Sequence, residues 1–173
     1  KLKEIEKLRY ADSVKKAELE NQLNKLKTTD NLEKTELLKQ LKDIEENEKQ
    51  RILTKRAKID SLRNIAKGYP VIGSMHDTLF YIYTKIGAST SKDRELNITD
   101  KIDVLYEDDY FNKDSLLIDN SESTIDIVYG ETIIMSISES DAIWYSGSLD
   151  ETAKKFKEKI LNSVETGKEE NTI

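Results

Sequence analysis

The stretch Gly68–Gly87, GYPVIGSMHDTLFYIYTKIG, marks the change from a helical to a β-rich pattern. Gly68 follows a run of basic residues and is a helix stop signal. Pro70, the only proline, keeps the helix from resuming because it has no amide hydrogen to donate. The aromatic and β-branched run Thr78–Lys85 that follows is typical of a strand. The sequence therefore predicts a domain boundary between residues 67 and 68.

Composition and charge distinguish the two parts further. Hydrophobic and charged residues each make up 36% of the 173 residues, which indicates one compact domain joined to a solvated helical element. Residues 1–67 carry 18 basic and 13 acidic side chains, whereas residues 68–173 carry 10 and 21. The acidic part argues against nucleic-acid binding, which needs clustered positive charge. The lack of cysteine excludes a disulfide framework and a thiol nucleophile.

Residues 1–67 are predicted to form a helical stalk, with helices over about residues 2–27 and 31–67. Apolar residues of the second helix follow heptad spacing and form an interaction seam. The seam consists of Leu38, Leu41, Ile52, Ile59 and Leu62. The four-residue connection favours a helical hairpin. An intermolecular coiled coil is the alternative.

Residues 68–166 are predicted to form a small α+β domain. Thr90, Ser91 and Asp93 begin a helix, and Ser148 with Glu151 begins the last helix, which Gly167 would end. The alternating apolar residues after the first of these helices predict three strands. They cover Ser115–Asp119, Ser123–Tyr129 and Glu131–Ser138. The expected order is β-α-β-β-β-α, with an antiparallel four-stranded sheet, both helices on one face, and a linker at residues 167–173.

The sequence contains no pattern typical of an active site. His76, the only histidine, has no partner at a useful spacing and is interpreted as a loop residue. The acidic run Glu107–Asp109 lacks the ligand spacing of a calcium loop and is interpreted as a solvated helix end. Trp144 and Tyr145 are expected to close a core. We therefore predict a chain that is not an enzyme and has no catalytic, cofactor-binding or metal-binding residues and no evident small-molecule ligand.

The order of short motifs in residues 66–166 resembles a known family. The motifs are Gly68-Tyr69-Pro70-Val71, Asp77-Thr78-Leu79-Phe80, Asp93-Arg94, Ser138-Glu139-Ser140-Asp141-Ala142, and Gly147-Ser148 with Ala153. This order resembles the extracytoplasmic N-terminal domain of bacterial mechanosensitive ion channels of the small-conductance, MscS-like family. Asp93-Arg94-Glu95 lacks the alanine of the family pattern, and Ser138 replaces a threonine.

The resemblance implies a non-catalytic domain on the periplasmic side of the bacterial inner membrane. Membrane-spanning helices would follow it, and the protein would be a homo-oligomer that releases ions and solutes on osmotic downshock. The domain would contribute to assembly, gating modulation or contact with a partner. The alternative is a free-standing coiled-coil adaptor that binds a protein partner.

Overall fold

The fold is seen in a computed structural model, which describes residues 2–25 and 31–171. The chain divides into two compact units, Lys1–Ser61 and Leu62–Ile173. The division follows Ser61 and therefore lies six residues before the boundary predicted between residues 67 and 68. Residues 26 and 27, the predicted end of the first helix, lie outside the described residues.

The first unit consists of helix α1 (Leu2–Lys25) and helix α2 (Asn31–Leu62). Their shared core is a small cluster of three buried residues, Leu19, Leu37 and Ile44. Lys16 of α1 forms an ion pair with Glu45 of α2 at 3.4 Å. These contacts join the two helices.

The predicted long helical hairpin or coiled-coil stalk is wrong. In the described part of the first unit, the apolar cluster between the helices is small, with only Leu23 and Leu41 packed against it, and Leu38 and Leu53 are about half exposed. The buried residues Leu37 and Ile44 lie seven positions apart and are not among the predicted seam residues, of which Leu41 packs against the cluster and Ile59 is buried. Charged residues interrupt that seam in the sequence, so it offers too little apolar surface for a continuous contact.

The described part of the second unit, up to residue 171, contains five strands, three helices and one short 3-10 helix at Lys113–Ser115. The strands are β1 (Tyr69–Ile72), β2 (Thr78–Ile82), β3 (Leu116–Asn120), β4 (Thr124–Tyr129) and β5 (Thr132–Ser138). The helices are α3 (Ser91–Glu107), α4 (Glu139–Trp144) and α5 (Leu149–Asn171). These elements confirm the α+β class.

The strands form two antiparallel sheets, β1-β2 and β3-β4-β5, and not the predicted four-stranded sheet. Strand β2 has no backbone pairing with the three-stranded sheet. A guanidinium lies between them instead, since Arg94 donates both to the Thr84 carbonyl after β2 and to the Ser136 carbonyl of β5. Strand β1 and helix α4 are also additional to the predicted order, in which no element was assigned between the strand ending at Ser138 and the last helix.

One hydrophobic core unites both sheets with α3 and α5. The buried faces of α3 and α5 pack against the three-stranded sheet. The core residues are Ile98, Ile102 and Leu105 of α3, Phe156, Ile160 and Val164 of α5, and Ile127 and Ile137 of the sheet. Helix spacing of three and four residues produces these faces, as the sequence predicts. Alternate residues of β4 and β5 supply the sheet side of the core.

Helix α5 continues through Gly167 to Asn171 instead of ending at Gly167. A side chain at residue 167 would approach the Ser74 Cβ atom to 2.9 Å and the Tyr106 ring to 3.0 Å. The glycine therefore serves close packing within the helix, which the sequence pattern alone does not distinguish from a helix stop. The predicted linker of residues 167–173 is helical as far as Asn171.

Candidate functional site

A buried ion pair between Arg94 of α3 and Asp141 of α4 lies at the centre of the second unit. Their contacts are bidentate, with Nη2–Oδ2 at 2.8 Å and Nη1–Oδ1 at 3.0 Å. The two residues are 6% and 3% exposed. A guanidinium fits a carboxylate in this way because its donors and the two acceptor oxygens match in spacing.

Two helix caps bring the pair together. Thr90 caps α3 and shares a capping box with Asp93, which places Arg94 in the first turn on the buried face of that helix. Ser138 caps α4, and Asp141, the third residue of that helix, completes its capping box. The carboxylate of Asp141 therefore both caps α4 and binds Arg94.

The remaining hydrogen bonds satisfy both charges. The Thr84 hydroxyl donates to Asp141 Oδ1 at 2.6 Å, and the Ser138 amide donates to Asp141 Oδ2 at 2.9 Å. Arg94 donates to the carbonyl oxygens of Thr84 and Ser136 at 2.7 and 2.9 Å. We call Thr84, Arg94, Ser136, Ser138 and Asp141 the Arg94 network. Because its charges are directed at one another, the network is suited to holding elements together.

Tyr145, directly after α4, forms a second connection to the β1-β2 sheet. Its hydroxyl accepts from the Tyr81 amide at 2.9 Å and donates to the Tyr81 carbonyl at 2.6 Å. Its ring meets Phe156 of α5 edge to face, and Phe156 stacks on Phe80 of β2 with 4.1 Å between ring centroids. The residues around α4 therefore tie β2 to both α5 and the Arg94 network.

Burial raises the pKa of Tyr145 to about 12, and the hydrogen bond to the Tyr81 backbone opposes part of that rise. The unfolded chain releases this proton near pH 10.0, so the stability that Tyr145 contributes is complete below pH 10.0 and is lost as the pH rises through about 12. We expect urea denaturation to show a steeper loss of stability over this range for the wild type than for Tyr145→Phe. Parallel stability curves for the two proteins would contradict the role of the hydroxyl.

The residues singled out in the sequence do not meet in one site. His76 is exposed in the β1-β2 turn with φ of 59°, and its amide donates to the Gly73 carbonyl. Asp108 accepts from the Tyr110 amide, while Glu107 and Asp109 are exposed at the end of α3. Within residues 2–25 and 31–171, no three acidic or histidine residues are grouped as metal ligands.

The predicted seam residues differ in exposure. Ile59 is buried, Leu41 and Ile52 are half-buried, and Leu38 and Leu62 are exposed. Their role in an interaction stays a prediction.

Trp144 is half-buried and stacks on Tyr83 at 4.5 Å, with the Arg63 guanidinium over its ring.

Sequence reasoning missed the pairing of Arg94 with Asp141, which are 47 positions apart. Spacing within an element cannot reveal such a contact. The one signal was that both residues belong to the motifs that carry the family resemblance.

The arrangement of two small antiparallel sheets around α3 and α5 defines an α+β domain with a buried polar centre. The chain belongs to a family described as a domain of unknown function, DUF8459, whose model matches residues 70–167. Neither the curated proteins nor the solved structures provide a significant match. In the described part of the chain, no helix has the length and apolar character needed to cross a membrane.

Proposed function

We propose that this chain is a non-catalytic extracytoplasmic domain of a bacterial mechanosensitive channel of the MscS-like family. It would lie on the periplasmic side of the inner membrane in a homo-oligomer, and membrane-spanning helices would follow it in the full-length protein. The complete channel would release ions and solutes on osmotic downshock, and this domain would contribute to assembly, gating or partner contact.

The observation that carries the proposal is the convergence of the resemblance motifs. Arg94, Ser138 and Asp141 come from two separate motifs and belong to one network. Phe80, from a third motif, stacks on Phe156 in the core. Ala153, from the last motif, is fully buried in the same core. The residues that carry the resemblance are therefore residues that hold this fold together, and this supports the resemblance on which the proposal rests.

The bonding of the Arg94 network supports a mechanical role over a chemical one. Asp141 accepts from Arg94, Thr84 and Ser138, so its oxygens are already occupied by donors of the fold. A buried pair of this kind resists separation because each charge would lose its partner in a low-dielectric environment. In the proposed role, the network keeps the shape of the domain, so that the domain acts as one body on the balance between closed and open channel states.

Cysteine labelling of the full native protein tests the proposed location. This chain has no cysteine, so Ser121→Cys in the exposed β3-β4 turn introduces one reporter thiol in an otherwise cysteine-free full-length protein. We expect a membrane-impermeant maleimide to label it equally in intact and in permeabilised spheroplasts, with the protein in the membrane fraction. Labelling only after permeabilisation would place the domain in the cytoplasm and contradict the proposal. Recovery of the intact protein in the soluble fraction would favour a free-standing adaptor.

A further inference from the structure

The outward edge of β5 is closed by side chains. Lys101 donates to the Ile133 carbonyl, and Arg94 donates to the Ser136 carbonyl at 2.9 Å. The Ser138 amide donates to the Asp141 carboxylate at 2.9 Å. An incoming strand would have to displace these bonds, so this edge is protected against strand addition.

The β1-β2 sheet is protected in the same way. The Tyr145 hydroxyl occupies both the amide and the carbonyl of Tyr81. Lys159 donates to the Leu79 carbonyl at 3.2 Å, and the Ile72 amide donates to the Thr99 hydroxyl at 3.2 Å. Side chains from α3, α5 and the end of α4 therefore bond to backbone groups of both strands.

Strand β3 is the exception. The Ser136 carbonyl accepts from Arg94 and therefore points away from β4. The residue opposite Ser136 in β4 is Asp126, so the backbone groups of Asp126 point away from β5 and towards β3. There Asp126 pairs with Asp119. The neighbours of Asp119 along β3, Ile118 and Asn120, then direct their backbone groups to the outside. Over the described residues, neither a side chain nor another strand bonds to these groups.

The charge beside this edge is strongly negative. Asp119 and Asp126 face each other across β3 and β4, and like charges in that position are destabilising. Asp126 is only 7% exposed and accepts a hydrogen bond from the Thr124 hydroxyl. Residues 107–126 contain seven carboxylates and a single lysine. A second copy of β3 would add to this charge, whereas a basic segment would offset it.

We propose that the open edge of β3 binds an extended, basic segment of a partner protein as a fourth strand. The partner backbone bonds to Ile118 and Asn120, and a lysine or arginine lies beside Asp119, on the same face as Asp126. Alternate partner residues are apolar and extend the layer formed by Leu116 and Ile118, which pack in or against the core. Main-chain bonds give affinity in this mode of recognition, and the alternating side chains give specificity.

Two synthetic seven-residue peptides test the proposal on the 173-residue chain. One alternates lysine with valine, and the matched control alternates glutamate with valine. We expect NMR titration at low salt to show binding of the lysine peptide about tenfold or more tighter than the glutamate peptide, since several charge contacts add. The amide signals of Ile118 and Asn120 should shift and exchange more slowly. Added salt should weaken the binding.

Two variants separate the backbone and charge contributions. Asn120→Pro removes an outward amide that β4 does not use, and we expect it to weaken lysine-peptide binding about threefold to tenfold, as for one lost hydrogen bond. Asn120→Ala keeps the amide and is the matched control. Asp119→Asn keeps the shape of an exposed side chain and should weaken binding about twofold to fivefold. If Asn120→Pro disturbs folding, the affinity of Asp119→Asn for the lysine peptide tests the proposal instead.

Several outcomes would overturn the proposal. The proposal would be wrong if both peptides bound with equal affinity or if neither bound at millimolar concentration. It would also be wrong if the NMR shifts were confined to residues outside β3. A concentration-dependent dimer of the chain alone, with protected Ile118 and Asn120 amides, would assign the edge to a second copy. These tests use the isolated chain and are independent of whether the protein is part of a channel.

Discussion

Replacing Arg94 by methionine is expected to lower the free energy of unfolding of the second unit by about 3–5 kcal/mol, the usual cost of leaving one partner of a buried ion pair alone. Asp141 would remain almost fully buried without its guanidinium, and the carbonyls of Thr84 and Ser136 would lose a donor. Guanidinium chloride denaturation measures the change. Trp144, the only tryptophan, lies in the second unit and reports on its unfolding by fluorescence.

Matched variants determine whether the pair itself causes this loss. Lys92→Met removes an exposed positive charge two residues away on the same helix, and we expect it to change stability by less than about 0.5 kcal/mol. Arg94→Met combined with Asp141→Leu should be less destabilising than the sum of the single changes, because no charge is left unpaired. If Arg94→Met and Lys92→Met had the same stability, the Arg94 network would not hold the unit together.

The second large effect is expected at Phe156. Its ring stacks on Phe80 of β2 and contacts Tyr145, and it is 2% exposed. Phe156→Ala removes a buried aromatic ring and leaves a cavity between α5 and the β1-β2 sheet, so we expect a loss of about 3–5 kcal/mol. Thermal and chemical denaturation should both show it.

The control for Phe156 is its neighbour Lys155, which is exposed on the same helix. Lys155→Ala should be close to neutral because alanine favours the helix and no packing is lost. Phe156→Leu should fall between the two, since it retains apolar volume. Equal stabilities of Phe156→Ala and Lys155→Ala would show that the two rings do not join α5 to β2.

Local signals were sufficient to predict several elements. The capping residues Thr90 and Ser148 are next to the starts of α3 and α5. Gly130, with φ of 61°, lies in the turn between β4 and β5, where the sequence predicts a short connection. In these cases the residues that determine the structure lie within a few positions of one another, so the pattern contains the necessary information.

The errors concern contacts between distant residues. The two sheets have no direct strand pairing, and Arg94 bonds to Thr84 after β2 and to Ser136 of β5. Helix α4 is only six residues long, too short for a periodic pattern to distinguish it from the end of a strand. In the first unit, heptad spacing identified Leu38 for the seam, whereas Leu37 is buried. A shift of one residue rotates a helix face by about 100°, which short interrupted patterns do not resolve.

The Arg94 network was not predicted from the sequence, although some of its residues belong to the motifs of the family resemblance. Residues 93 and 94 and residues 138–142 are in its motifs, but their spacing in the chain does not indicate that Arg94 and Asp141 form an ion pair. Thr84 and Tyr145, which complete the connections around α4, are outside the motifs.

Patch-clamp recording of the complete native protein tests the central claim most directly. The protein encoded by the native reading frame would be expressed in bacteria that lack their own mechanosensitive channels, and suction would be applied to membrane patches. Our account predicts a conductance that opens with membrane tension and whose threshold changes in Arg94→Met, the variant that disrupts the centre of this domain. The absence of a tension-dependent conductance in patches that contain the wild-type protein would contradict the proposed function.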